Sequence, residues 1–181
     1  MKTMAIFLRG INVNGINIKM DELRGVIEAM LYKNVKTILA SGNIVATAAE
    51  DEISYEEHKN RIEKALSVSF GYEANIFIKS AGQIHDIMEE AKKHEVPEGY
   101  HHYILLTKEN DIAGRLKIQF EACRKAEKEQ LLIEEHGIYW IVPKGDTLQS
   151  EFGRLCLGKK EFKSILTSRT INTIQKISKY L

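Results

Sequence analysis

Apolar and polar positions follow two rhythms along this chain, and where one gives way to the other marks its elements. Residues 3–9, TMAIFLR, form an apolar run of strand length that ends in an arginine. Over residues 20–32 the spacing becomes helical. Met20, Leu23, Val26, Ile27, Met30 and Leu31 fall on one stripe, with Asp21 and Glu22 offsetting the positive end of the helix and Lys33-Asn34 closing it. VKTILASGNIVATA then reads as a hairpin of two β-rich runs joined at Ser41-Gly42-Asn43, where Gly-Asn suits a two-residue turn and Gly42 supplies the positive φ. Residues 54–70 return to helical spacing. Ser54 is the N-cap with Glu57 three residues on, Ile62, Leu66 and Phe70 make the buried stripe, and Gly71 ends the helix. EANIFIK, 73–79, is the next strand. The order β-α-β-β-α-β is that of a split βαβ, ferredoxin-like unit.

The second half repeats part of this grammar. The pattern predicts a helix over 81–94, a strand over 101–107, a helix over 111–125, and strands over 128–135 and 137–142 around His136-Gly137. Pro143-Lys144-Gly145 breaks the pattern, and the remainder reads as helical, with Thr167 or Ser168 capping a final helix to about residue 180. The expected architecture is α+β: two small ferredoxin-like halves packed together, with helices at the C-terminal end. The halves are residues 1–80 and 81–181, with the boundary near 80–100, or else they form one compact domain. The halves share element order but no residue-by-residue repeat, and no low-complexity linker separates them.

The 181 residues are 44% hydrophobic and 28% charged, as in ordinary globular proteins, and no apolar run approaches the roughly 20 residues of a membrane span. The N-terminal run is too short for a signal peptide. Two cysteines, Cys123 and Cys156, make neither a disulfide framework nor a metal spacing, so the expected setting is reduced and cytoplasmic. The net charge of +1 conceals an uneven spread. Residues 1–49 carry six basic and three acidic side chains, residues 144–181 eight and three, and residues 50–143 twelve and nineteen. Either solvated faces merely differ, or the two basic ends of the sequence meet in an anion site.

The candidate chemistry begins with the connection from Arg9 to Lys19. At about ten residues it exceeds the usual strand-to-helix length of roughly two to six, and long ordered connections often carry function. Gly10 and Gly15 would let backbone N–H groups face an anion, and Arg9 would clamp it. The spacing matches neither a P-loop nor a dinucleotide fingerprint. The competing reading is structural: Asn12, Asn14 and Asn17 satisfy backbone groups in Asx turns, and Arg9 pairs with a carboxylate. Ser41 in its turn reads as turn chemistry rather than as a nucleophile. His101 and His102 are neighbours in a strand and point to opposite faces, His136 sits in a turn, and no metal site is expected. Cys123 and Cys156 read as buried apolar residues, and Trp140 as a core residue. From Arg154 to Leu181 there are seven basic residues and one acid, Glu161, a face that would suit nucleic acid although no aromatic RNA-recognition signature accompanies it.

Three stretches carry a family resemblance: LRGINVNG-N-KM--L at 8–23, NVKT-LASGNIV at 34–45 and TSRTINT at 167–173. They resemble the bacterial domain-of-unknown-function family sixteen ninety-seven. That family typically reads Arg-Gly-Ile-Asn-Val-Gly-Gly early, Ser-Gly-Asn-Val after the first helix and Thr-x-Arg-Asn-x-Asn-Thr near its end. The matching positions are Arg9, Gly10, Ile11, Asn12, Val13, Gly15, Asn17 and Met20, then Ser41, Gly42 and Asn43, then Thr167, Arg169, Asn172 and Thr173. The chain departs at Asn14, where glycine is usual, at Lys19, and at Thr170-Ile171, where Asn-Trp is usual. The resemblance implies a cytoplasmic bacterial α+β protein with ferredoxin-like subdomains and implies no reaction. The leading expectation is a binding protein for a phosphate-bearing ligand, a nucleotide or nucleic acid, with Arg9, Asn12, Asn17, Ser41, Asn43, Arg169 and Asn172 as contacts and no cofactor. The alternatives are a small-metabolite hydrolase or transferase and a structural module with no ligand. The oligomeric state stays open.

Overall fold

The structure, a computed structural model, describes residues 1–10, 17–49, 52–108, 111–162 and 164–181. It divides into two compact units. The first comprises Met1–Ile84 together with Lys176–Leu181, and the second His85–Gln175. The segment 176–181, which the sequence pattern groups with the second half, thus belongs to the first unit.

In the first unit, β1 (Lys2–Arg9), α1 (Met20–Ala29), β2 (Lys33–Ile38), β3 (Asn43–Ala48), α2 (Tyr55–Phe70) and β4 (Asn75–Ser80) follow one another. The strands form one antiparallel sheet in the order β2-β3-β1-β4. That is the split βαβ arrangement: β3 sits between β1 and β2, the two strands joined through α1. Met4, Ile6 and Leu8 of β1 share a core with Ile44 and Ala46 of β3, Ile76 of β4, Leu23 and Ile27 of α1, and Ile62 and Leu66 of α2. Strand β1 is buried along Met4–Leu8, on both faces of its pleat, which explains its unbroken apolar run. At the start of α2, Ser54 Oγ accepts from the Glu57 N–H at 3.1 Å, and Gly71 ends the helix at φ 65°. Helix α1 stops earlier than its periodicity suggests. The Leu31 N–H donates to Glu28 O at 2.9 Å, and Leu31 turns left-handed at φ 67°, so its side chain leaves the apolar stripe and stands 82% exposed. The hairpin also differs from the expected two-residue turn. Ile38 pairs with Asn43, and four residues, 39–42, connect them, with Leu39 at φ 60° and Gly42 at φ 68°.

Helix α3 (Ala81–Ala91) leads the chain into the second unit, where β5 (Tyr100–Thr107), α4 (Ile112–Ala122), β6 (Gln130–Ile133) and β7 (Ile138–Pro143) follow. A helical turn, α5 (Glu151–Gly153), runs into a wider π-type turn at Arg154–Gly158. Strand β8 (Leu166–Thr170) and α6 (Ile171–Ser178) come next. Strand β8 corrects the expectation of continuous helix. Its backbone pairs antiparallel with β5, from Tyr103↔Thr170 to Thr107↔Leu166, so Thr167 and Ser168 lie in a strand and Thr170 Oγ1 caps α6 by accepting from the Thr173 N–H at 3.3 Å. With β8 in place, the second sheet has the order β6-β7-β5-β8, the same topology as the first. Its core joins Leu105, Leu116, Trp140, Phe152, Cys156 and Leu166. Trp140 is fully buried, with its indole N–H donating to Glu129 Oε1 at 3.0 Å.

Candidate functional site

Antiparallel pairing of β1 with β3 sets Phe7 opposite Asn43, which brings the end of β1 and the 39–42 turn to one end of the first sheet. The Leu8 N–H donates to Gly42 O at 2.7 Å, so two motifs that the sequence leaves apart are joined there. Asn43 is completely buried, and its amide donates to Ile38 O and Ser41 Oγ, both at 2.9 Å. This side chain clamps the turn. Arg9 is half-buried at the end of β1, opposite Asn75 of β4, and Asn17 is exposed. Asn12, with Asn14 and Gly15, lies outside the described residues. Arg169 and Asn172 belong to the second unit. Arg169 is buried in β8, where its guanidinium donates to Thr167 Oγ1 at 3.0 Å and to Ser168 O at 2.8 Å, while Asn172 is exposed in the first turn of α6.

Of the basic residues near the two ends of the sequence, Arg24 and Lys36 come together with Lys176 and Lys179. Within the first unit, Arg24 of α1, Val35, Lys36, Thr37 and Ile38 of β2, and Lys176, Lys179 and Tyr180 line a groove of about 570 Å³. Its construction follows from periodicity. Strand β2 is the edge of its sheet and keeps Val35 and Ile38 buried while Lys36 stays exposed. Ile174 and Ile177 bury the apolar side of α6, leaving Lys176 and Lys179 exposed one turn apart. Arg24 is partly neutralised by Asp21 at 3.2 Å and Glu28 at 3.9 Å on its own helix. The Lys36 ammonium stands 4.3 Å from the centroid of the Tyr180 ring. Among the described residues, no carboxylate forms an ion pair with Lys36, Lys176 or Lys179. The turn and the groove share β2: Ile38 lines the groove, and its carbonyl holds the Asn43 amide.

The histidines cluster in a way that strand alternation does not reveal. In the second unit, His94 Nδ1 lies 3.0 Å from His102 Nε2, and His94 Nε2 lies 3.1 Å from Glu134 Oε2. The His94 ring packs edge-on against Tyr139 at 4.5 Å, and the Tyr139 hydroxyl donates to Glu90 Oε2 at 2.8 Å. The buried Glu90 carboxylate also accepts from the His136 N–H at 3.2 Å. Burial, with the charge of His94 added, pushes the His102 pKa down to about 4. Burial and the Glu90 carboxylate push the Tyr139 phenol well above its usual range. The cluster is a chain of polar side chains from the exposed Glu134 through His94 to the half-buried His102. Sequence reasoning missed it because His94 lies beyond the end of α3 and reaches His102 only through tertiary packing. Among the described residues, no group of three or more His, Cys, Asp or Glu side chains is placed to hold a metal.

Residues 1–139 match the model of a family described as "Protein of unknown function (DUF1697)". The chain belongs to this DUF1697 family. Among curated proteins, none matches its sequence. Among solved structures, this DUF1697 chain is similar to the conserved bacterial protein SP0830 from Streptococcus pneumoniae, with a TM-score of 0.76 at 20% identity over 99% of this chain and 97% of that one. At that identity the likeness establishes the fold alone. Among the described residues, no helix of this family member is long and apolar enough to cross a membrane.

Proposed function

We propose that this DUF1697 protein binds a phosphate-bearing ligand of nucleotide size in the groove on the β2 edge. The observation that carries the reading is the set of three lysines, Lys36, Lys176 and Lys179, around one concavity with Arg24, Thr37 and the exposed ring of Tyr180. Ammonium groups attract phosphate as point charges, the threonine hydroxyl adds a neutral donor, and the phenol offers a stacking face. The volume falls within the range of about 300–1,000 Å³ typical of small-molecule sites. In this reading the Ser41-Gly42-Asn43 turn shapes the groove by fixing the end of β2, while Arg9 and Asn17 do not line it. Two buried free cysteines support a reducing, cytoplasmic setting as part of the same proposal.

Calorimetric titration with adenosine triphosphate and with inorganic pyrophosphate tests it. The expected result is saturable binding that weakens as salt is added and falls at least about tenfold in the double variant Lys176→Glu, Lys179→Glu, with an unchanged melting temperature for the free protein. Equal affinity in parent and variant, or no binding of either phosphate compound, would sink the reading. A single-stranded oligonucleotide that outcompetes the triphosphate would assign the groove to nucleic acid instead.

A further inference from the structure

We infer that the hollow between α1 and α2 is a second binding site, specific for a medium-length apolar chain or aryl group that ends in a carboxylate. Among the described residues, none lines both this hollow and the basic groove.

The cavity measures about 740 Å³, the size of a site for a small organic molecule. It exists because four alanines, Ala29 of α1, Ala48 of β3 with Ala49 after it, and Ala65 of α2, stand where larger side chains would close the gap between the two helices and the sheet. Val26, Met30 and Val68 complete an apolar wall. Soluble proteins normally fill such a space, since interiors pack to crystal density. Leu31 and Val68, 82% and 80% exposed, stand at its rim as two large apolar groups given to water. Leu31 holds a left-handed conformation, φ 67°, at the position after a helix where glycine is usual, a backbone that L side chains adopt only with strain. A glycine there would relax the backbone but would leave the rim without its side chain.

The charges around the hollow select the head group. Arg61 and Lys64 line it one turn apart on α2, and among the described residues no acidic one does. Arg61 is shared with Glu57 at 3.0 Å, whereas Lys64 forms no ion pair among the described residues. A monoanionic head at the rim would meet Lys64 while the tail lies on alanine, valine and methionine. Deeper in the wall the buried pair Tyr32 Oη and His58 Nδ1, 2.6 Å apart, adds one polar spot to an otherwise apolar surface. Apolar lining with a few placed polar groups is the usual composition of a small-molecule site. Lys64, without an ion pair among the described residues, disfavours a cationic amphiphile.

The test is calorimetric titration of the whole protein with decanoate, below the concentration at which it forms micelles, beside decanol and decyltrimethylammonium. Decanoate is expected to bind one per chain. Ala29→Trp, at an exposed helix position, and Ala65→Trp should each lose at least about tenfold by filling the hollow. Lys64→Glu should weaken decanoate several-fold and leave decanol unchanged. Melting curves establish that each variant is folded, and Ala29→Trp alone decides the matter if Ala65→Trp is not. The inference fails if decanoate does not saturate, if folded Ala29→Trp binds it like the parent, or if decyltrimethylammonium binds as tightly. Retention on phosphatidylglycerol vesicles without binding of free decanoate would make the rim a membrane-facing patch and overturn it too.

Discussion

Asn43 and Ser41 lie two residues apart in one motif, yet their burial gives them different weights. The Asn43 amide is completely buried and donates twice, so Asn43→Ala leaves the carbonyl of Ile38 and the turn hydroxyl without their donor. The expected cost is about 2–3 kcal/mol, measured as a lowered midpoint of urea unfolding. Ser41→Ala removes one acceptor at an exposed position and should cost about 0.5–1.5 kcal/mol. A ratio near one between the two would contradict the clamp. At this scale the sequence was legible where chemistry is local. Ser54 caps α2 and Gly42 takes positive φ because both depend on residues within a turn of them. Leu31 was illegible: its apolar character continues the helical stripe, and only the left-handed backbone that ends α1 moves it to the surface.

Among the elements, β5 carries the clearest consequence of pH. His102 lies half-buried on it beside His94, with Glu134 beyond, and its pKa falls from 6.5 to about 4. The folded state therefore keeps this ring neutral while the unfolded chain protonates near 6.5. Between those values the unfolded state binds more protons, so the stabilising contribution of His102 is complete above about pH 6.5 and is lost as pH falls toward 4. After discounting for the exposed part of the ring, the loss is about 1–2 kcal/mol. Denaturation midpoints followed from neutral to acid pH should decline, and His102→Gln, which cannot gain a charge, should flatten the decline. A decline of the same steepness in that variant would remove His102 as its cause. Strand β8 explains why element prediction failed in one place. Leu166–Thr170 is five residues of mostly polar sequence between two helical stretches, and its strand state comes from pairing with β5 about sixty positions earlier, which no local pattern encodes.

For the molecule as a whole, hydrophobic periodicity made the β-α-β-β-α-β order legible in the first half but only β-α-β-β-α in the second, and the sheet order that the halves share rests on β8, which was read as helix. The basic groove was legible only as a charge imbalance. Which lysines meet depends on residues 176–181 joining the first unit, a long-range event. That arrangement predicts the effect of removing those residues. Ile177 is completely buried, so a chain stopped after Gln175 loses this side chain as well as Lys176, Lys179 and Tyr180. The expected outcome is about 2–4 kcal/mol of lost stability together with loss of triphosphate binding, checked by thermal melting and by titration. A truncated chain that melts like the parent would show that the segment adds nothing to the first unit.

The same division has a consequence in the order of synthesis. The second unit is one continuous stretch, His85–Gln175, and every residue it needs leaves the ribosome in sequence. The first unit is made in two instalments separated by the whole of the second. Its sheet and two helices emerge early, but the groove lacks two of its three unpaired lysines until residue 179 has been added. A nascent chain stalled anywhere in the second unit thus carries most of one finished body and a groove still open on the side that Lys176 and Lys179 will occupy. The younger part of the chain completes the older one, and this family member acquires its full basic groove only as translation passes the end of α6.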